Sequence, residues 1–375
     1  MRSTGKQKIF LGLALIGLAG YFPQAVAKAQ FVRDGEAGFV VSHIEYALSL
    51  AAEENGACPN GMSKSYRNRG DAYISSPVLN QRKGESQEQP ESLCMKPELG
   101  SPDPKLKVVT GDNVAAYGID LDGQNTPEDF VSMTGEAGVD NQFFRVIGCT
   151  PGYQPSGQGN GFVIGMLTGS WGLVITLSDV DDINNDDEVT VGFHFNNDPI
   201  QLSPSRVPLP YASYTTHPDP RYHAKARGQI SDGVLTTELM DLRYPTDLNG
   251  MYVQNVLRDA QLHLTLSEDG ALKGYLGGYA PVEELYSANF GFRDATGEFA
   301  TMRRKVGSSI GKGGAMGYTC EGIYHALHEH ADGLPDPDTG KNTAISMQFR
   351  IEAIPAFVFD GIALKAAEQS GQGSQ

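Results

Sequence analysis

Residues 189–196, Val-Thr-Val-Gly-Phe-His-Phe-Asn, decide the fold class of this chain, because apolar and polar side chains alternate along them with a period of two. The same alternation recurs at 261–266 and at 345–352. A period of two is typical of antiparallel sheet with one wetted face. Five shorter strands are predicted at 116–121, 143–147, 162–167, 173–177 and 234–237.

Two dipeptides predict hairpin turns between these strands. Asp269-Gly270 lies between two apolar runs, and Asp232-Gly233 precedes the short strand at 234–237. We therefore expect a mainly β protein whose body is an antiparallel β-sandwich or jelly roll.

Helical spacing is confined to two segments. Ser42 and Glu45 form a capping box that predicts a helix over 42–54, and a second, late helix is predicted from Thr319 to 331. The predicted organisation has four parts: a signal peptide at 1–27, a helix with polar, Pro-rich loops packed on the body at 28–105, the β-sandwich-like domain at 106–363, and a disordered Gln, Ser and Gly-rich tail at 364–375.

The N-terminus has the pattern of a secretory signal peptide. Basic residues precede an apolar run at 9–22, and Ala25-Val26-Ala27 supplies a small-residue cleavage site. The alternative is an uncleaved anchor, which three glycines in the apolar run disfavour. We expect a periplasmic or extracellular protein, with no integral membrane segment after cleavage.

Composition excludes several classes of protein. The chain has 29 basic and 45 acidic residues, a net charge of −16, and 40% hydrophobic residues. That apolar fraction is too high for a disordered chain, and the acidic charge opposes phosphate backbones. Nucleic acid is therefore not an expected partner.

Cysteine usage agrees with an oxidising compartment. The four cysteines, an even number, predict two disulfides with three possible connectivities. We favour Cys58 with Cys94 and Cys149 with Cys320. No motif for haem, nucleotide or flavin binding occurs, since CxxCH is absent and the Gly-rich stretch at 307–317 lacks phosphate-loop spacing.

An acidic loop between two predicted strands favours calcium. Carboxylate and amide oxygens in a loop can supply the six to eight ligands that calcium takes. Acids near 120–129 and 332–338 are weaker calcium candidates. The alternative for each loop is that Asp and Asn serve as turn formers. The six candidate ligands in the first loop are Asp179, Asp181, Asp182, Asn184, Asp186 and Asp187.

A second group of acids suggests catalysis. Asp120 and Asp140 could share general acid and base roles, as in glycoside hydrolysis, with Arg145 holding a ligand. The alternative is that the acids bond turn amides and that Arg145 pairs with an acid. No nucleophile motif occurs, so a binding role is favoured over an enzymatic one.

Polar residues on the alternating strands could form a binding face if those strands are neighbours; the alternative is an ordinary solvated sheet surface. The late helix carries His325, His328 and His330, for which a polar helix face is favoured over a transition-metal site. The five binding-face candidates are His194, Asn196, His263, Gln348 and Arg350.

Together these patterns predict an exported binding or structural protein with calcium as its cofactor and a saccharide or envelope component as partner. A carboxylate-dependent hydrolase acting through Asp120 and Asp140 is the competing hypothesis. The oligomeric state is left open.

Overall fold

The computed structural model describes residues 31–48, 56–63, 97–103, 106–111, 114–150, 165–167, 171–196, 198–248, 251–293, 299–307 and 320–372. In chain order, the strands are β1 (Ala37–Tyr46), β2 (Ala115–Ala116), β3 (Phe130–Ser132), β4 (Ala137–Val139), β5 (Gly172–Ser178), β6 (Asp186–Asn196), β7 (Ala212–Thr215), β8 (His223–Ser231), β9 (Val234–Thr237), β10 (Met240–Leu248), β11 (Met251–Leu266), β12 (Leu272–Pro281), β13 (Ser287–Arg293), β14 (Phe299–Gly307), β15 (Gly333–Pro335) and β16 (Asn342–Phe359). The helices are α1 (Gln142–Ile147), α2 (Val282–Tyr286), α3 (Cys320–Glu329) and α4 (Gly361–Gln372).

Eight antiparallel strands close into a barrel. Their order is β1-β5-β6-β8-β9-β11-β12-β16, and β16 returns to pair with β1. The mainly β, antiparallel prediction is confirmed. One continuous sheet closes on itself, whereas the sequence predicted the two facing sheets of a sandwich or jelly roll. The alternation of side chains shows that one face of each strand is buried, but it does not show which part of the chain covers that face.

Large apolar side chains fill the barrel interior. The register sets Ile175 opposite Phe193 and Leu276 opposite Phe349, and three of these four side chains are fully buried. An eight-stranded barrel is narrow enough for side chains to fill it, so the interior is a packed core.

The strongest local signals are confirmed. The three alternating segments lie in β6, β11 and β16, and the predicted strands at 173–177 and 234–237 lie in β5 and β9. Asp232 and Gly233 form a two-residue turn between β8 and β9 with φ values of 50° and 76°. Positive φ at both positions is the geometry of a type I′ turn, which Asp-Gly favours.

The predicted helix at 42–54 is wrong where the structure describes it, because residues 37–46 form strand β1. A bulge between Val41 and His43 shifts the alternation by one residue, so the buried positions lose their regular period of two. Ser42 donates its hydroxyl to the Glu352 carbonyl across the sheet and caps no helix. Residues 49–55 lie outside the described residues.

Three of the five predicted short strands also fail, wholly or in part. Residues 142–147 form α1, because Asn141 caps the segment by accepting a hydrogen bond from the Phe144 amide. Of the predicted strand at 116–121, only Ala116 lies in a strand, as the second residue of β2, and residues 165–167 are helical within the segment predicted as a strand at 162–167. Helix α4 covers 361–372, where a disordered tail was predicted from 364, because Asp360 accepts hydrogen bonds from the Ile362 and Ala363 amides. The predicted late helix is confirmed as α3.

The observed disulfide joins Cys58 to Cys149, so the predicted Cys58–Cys94 and Cys149–Cys320 pairs are wrong. The segment around Cys58 lies against the end of α1, where the Ser63 amide donates to the Cys149 carbonyl. Both cysteines are buried and their α-carbons are 5.7 Å apart. Cys94 and the side chain of Cys320 lie outside the described residues.

Smaller elements cover the outside of the barrel. Strands β2, β3 and β4 form a three-stranded sheet that continues into α1, and α1 packs against β16. Strand β10 extends the sheet as a partner of β11, β15 pairs with β16, and β7 runs parallel to the end of β16. Helix α3 contacts α1, α2 and β16. None of the helices in the described ranges combines the length and apolar character needed to cross a membrane.

Candidate functional site

Three carboxylates predicted as candidates converge outside the barrel. One oxygen each from Asp120, Asp122 and Asp140 lies within 4.8 Å of the others. Within the described ranges, this is the one place where three or more His, Cys, Asp or Glu side chains meet in this way. Asp120 and Asp122 are exposed, whereas Asp140 is only 3% exposed.

Gln348 of β16 holds together the two chain segments that carry these acids. Its side-chain nitrogen donates to the Ile119 carbonyl at 2.9 Å and to the Asp140 carbonyl at 2.8 Å. The Leu121 amide donates to Asp140 Oδ2 at 2.6 Å. Because Gln348 is buried and projects outward from a barrel strand, the rigid sheet fixes the spacing of the acidic segments.

Asn141 ties the same region to the N-terminal strand. Its Oδ1 caps α1, and its Nδ2 donates to the carbonyls of Ala47 and Tyr117 at 2.9 and 3.0 Å. The residue after Asp140 therefore starts a helix and anchors the segment that leads to Asp120.

A glycine makes the close approach of the two segments possible. Gly138 has a φ of 94°, and a Cβ there would lie 2.8 Å from the Gln124 carbonyl oxygen and 3.2 Å from Asp120 Oδ2. A side chain would therefore be strained at this position and would press against the Asp120 carboxylate.

Burial changes the acidity of the enclosed acid. Desolvation, helped by the negative charges of Asp122, Asp129 and Asp332, raises the pKa of Asp140 to about 7, although the hydrogen bond from the Leu121 amide acts in the opposite direction. Burial also raises the pKa of Asp332 to about 6, although Ser346 hydrogen-bonds it. The region can thus hold a proton near neutral pH, and a cation that displaces this proton would relieve the repulsion among the carboxylates.

Arg145 has a structural position beside the cluster. Its guanidinium donates to Gln142 Oε1 and to the carbonyls of Val109 and Glu128, and it lies 4.5 Å from the centre of the Phe130 ring. These contacts connect α1 to the neighbouring loops. They also occupy the Arg145 guanidinium, which the sequence suggested as a ligand-binding group.

Two of the five binding-face candidates share one row on the outer barrel surface. The register runs from His263 on β11 through Tyr275 on β12 to Arg350 on β16 and Glu45 on β1. Arg350 pairs with Glu45 at 3.1 Å and lies 5.0 Å from the centre of the Tyr117 ring. The row is therefore a surface whose charges are already paired.

The other three candidates lie elsewhere. Gln348 is the anchor described above, whereas His194 and Asn196 lie on β6, which β8 and β9 separate from β11. Both are buried, and the rings of His194 and His223 are 4.7 Å apart. Burial and the charges of His223 and Lys225 lower the pKa of His194 to about 4. The condition that these strands be neighbours is thus not met.

In the acidic loop between β5 and β6, carboxylates accept hydrogen bonds from the loop's own backbone amides. Asp186 accepts hydrogen bonds from the amides of Asp181, Asp182 and Glu188. Asp179 accepts a hydrogen bond from the Thr190 hydroxyl. These contacts are those of a carboxylate-stabilised turn, and calcium binding by Asp179, Asp181, Asp182, Asn184, Asp186 and Asp187 stays a prediction.

A groove of about 740 Å³ lies between α3 and the loop at 336–343. His325 and His328 line it, whereas His330 is not among its lining residues. Sequence reasoning selected these histidines but gave no sign of the groove, because its second wall is a loop that packs there only in the folded chain.

Comparisons with protein-family profiles, curated proteins and solved structures found no match to this chain.

Proposed function

We propose that this is an exported binding protein stabilised by calcium at Asp120, Asp122 and Asp140. The observation that carries the proposal is the convergence of these three carboxylates within 4.8 Å. Calcium takes oxygen ligands in flexible arrangements, and loop carboxylates with backbone carbonyls and water can complete its coordination. The chemistry of the donor set therefore fits a hard divalent cation.

Repulsion among the acids gives a physical reason for a cation at this position. Two exposed acids and one buried acid repel one another, and Asp129 and Asp332 add to the negative potential at Asp140. A bound divalent cation would replace this repulsion with attraction. It would stabilise the native state by mass action, because the unfolded chain does not assemble the three acids.

The proposed location rests on the N-terminal pattern and on cysteine chemistry. A basic, apolar and small-residue N-terminus is that of an exported chain. The Cys58–Cys149 disulfide agrees with an oxidising compartment, periplasmic or extracellular. For such a protein we propose a saccharide or an envelope component as the partner.

The test is thermal unfolding in 2 mM calcium and in chelator. The disulfide-bonded, signal-cleaved protein is compared with Asp122→Asn and with Asp187→Asn, a matched charge change in the loop between β5 and β6. We expect calcium to raise Tm in the unchanged protein and in Asp187→Asn, and to have little effect in Asp122→Asn. No calcium-dependent rise refutes the proposal, and loss of the rise in Asp187→Asn alone moves the ion to the other loop.

One observation favours a second candidate, a carboxylate-dependent hydrolase. Asp140 has a pKa of about 7 beside exposed Asp120, a combination that can divide acid and base roles. Its burial weighs against direct contact with a substrate. Hydrolysis of chromogenic glycosides that is lost in both Asp140→Asn and Asp120→Asn would support this candidate.

A further inference from the structure

The groove beside α3 has one wall built of rings held in place by hydrogen bonds. Glu283 Oε1 accepts from the Tyr324 hydroxyl at 2.7 Å and from His328 Nε2 at 3.2 Å. The two rings are 4.4 Å apart, and His325 Nε2 donates to the Gly100 carbonyl at 3.0 Å. The rings are therefore oriented before any ligand arrives, which lowers the entropy cost of binding.

The opposite wall is a loop whose shape is set by its own hydrogen bonds. Asp336 Oδ1 accepts from the Asp338 and Thr339 amides and from the Thr339 hydroxyl. The side-chain nitrogen of Asn342, Nδ2, donates to the Ala331 carbonyl at 3.2 Å. These bonds use one oxygen of Asp336 and the nitrogen of Asn342, and they leave the second Asp336 oxygen and Asn342 Oδ1 as acceptors beside the groove.

The charges of the groove select the ligand class. Among the described residues that line the groove, Glu329 and Asp336 supply two carboxylates against the single ammonium of Lys341, on a chain of net charge −16. Such a lining accepts hydrogen bonds from hydroxyl groups and repels anions. A ring wall combined with acceptor-rich polar groups suits a molecule with apolar ring faces and many hydroxyls.

We infer that this groove binds a neutral saccharide. The inference rests on the proposed binding role and adds the site and the ligand class. The Tyr324 and His328 rings form the wall against which the sugar packs, while Glu329, Asp336 and Asn342 accept hydrogen bonds from its hydroxyls. The volume lies within the usual range for small-molecule sites.

The experiment is calorimetric titration with linear trisaccharides of glucose, mannose, xylose and N-acetylglucosamine, with trigalacturonate as the acidic counterpart. Binding of at least one neutral trisaccharide is expected, with trigalacturonate weaker. Tyr324→Ala should weaken binding by about tenfold or more, because it removes the ring wall. Tyr324→Phe keeps the ring and should bind within about twofold of the unchanged protein, since its hydroxyl is used by Glu283.

Glu329→Ala, an exposed change, keeps the test valid if Tyr324→Ala does not fold, and it should weaken binding about threefold because it removes an acceptor for a sugar hydroxyl. Asp122→Asn is the control: it should remove the calcium response and leave the trisaccharide affinity unchanged. The inference is overturned if no neutral trisaccharide binds, if trigalacturonate binds more tightly, or if none of the groove variants weakens binding. Each of these results leaves the calcium-dependent Tm intact, so failure of this inference is distinguishable from failure of the proposed calcium site.

Discussion

Replacing Asp140 with Asn should stabilise the protein in the absence of calcium. The Asp140 carboxyl has a pKa of about 7 in the folded chain against a usual value of 3.8, mainly because it is buried. Each pKa unit corresponds to ~1.4 kcal/mol, so the ionised carboxylate lowers the free energy of unfolding by on the order of 4 kcal/mol above pH 7. An Asn side chain carries no charge, and its oxygen can still accept the hydrogen bond from the Leu121 amide.

The direction of the pH dependence follows from the raised pKa. Between pH 4 and pH 7 the folded state keeps the Asp140 proton while the unfolded state loses it, so stability falls as pH rises through this window. Asp140→Asn removes this dependence. In chelator the variant should therefore exceed the unchanged protein in stability at pH 8 and match it near pH 4. Calcium should stabilise the unchanged protein at pH 8 and have little effect on the variant.

Urea unfolding monitored by fluorescence suits this measurement, because the single tryptophan, Trp171, is buried. Asp187→Asn controls for the change in net charge. A variant that is less stable than the unchanged protein in chelator at pH 8 would refute the reasoning. The reasoning would also be refuted if the free energy of unfolding of Asp140→Asn fell between pH 4 and pH 7 as steeply as that of the unchanged protein.

Three more outcomes are expected. Replacing Cys58 and Cys149 together by Ser should lower the free energy of unfolding by about 4–5 kcal/mol, since the bridge spans 91 residues. An unchanged urea midpoint would contradict this, and peptide mapping of the unchanged protein checks the pairing. Asn196→Leu should be neutral or stabilising in thermal unfolding, because both amide atoms are buried without hydrogen-bond partners in the described structure; a loss of 1–3 kcal/mol would instead reveal a bound water. His194, whose folded pKa is about 4, should reduce stability as pH falls from 6.5 to 4, by up to ~3 kcal/mol, and His194→Gln should flatten that decline in urea titrations.

Strand prediction from the sequence succeeded where burial alternates regularly. In β6, β11 and β16 one face meets the core and the other meets solvent or an outer loop, so the pattern is visible in the residues themselves. It failed in β1, where the bulge at Val41 and His43 breaks the period. It also failed at α1, because the apolar run at 143–147 suits either a strand or a buried helix, and the capping residue Asn141 decides between them.

The candidate site was predictable in part. Asp120 and Asp140 were selected from residue type and loop context, and the structure brings them together with Asp122. The anchoring role of Gln348 was not predictable, because its alternation marks it as outward-facing while its burial depends on a loop more than 200 residues earlier in the chain. The same limit applies to the groove, whose two walls come from α3 and a later loop.

The sequence by itself determined the mainly antiparallel β character, two Asp-Gly turns, the late helix and the acidic residues that a cation could use. These are properties of residues close together in the chain, where side-chain periodicity and turn geometry act directly. Only the tertiary structure decided the closure of the barrel, the Cys58–Cys149 pairing and the convergence of the three acids. Each of these depends on contacts between distant segments, such as β1 with β16, and such contacts form only when the apolar face of the whole sheet is buried at once.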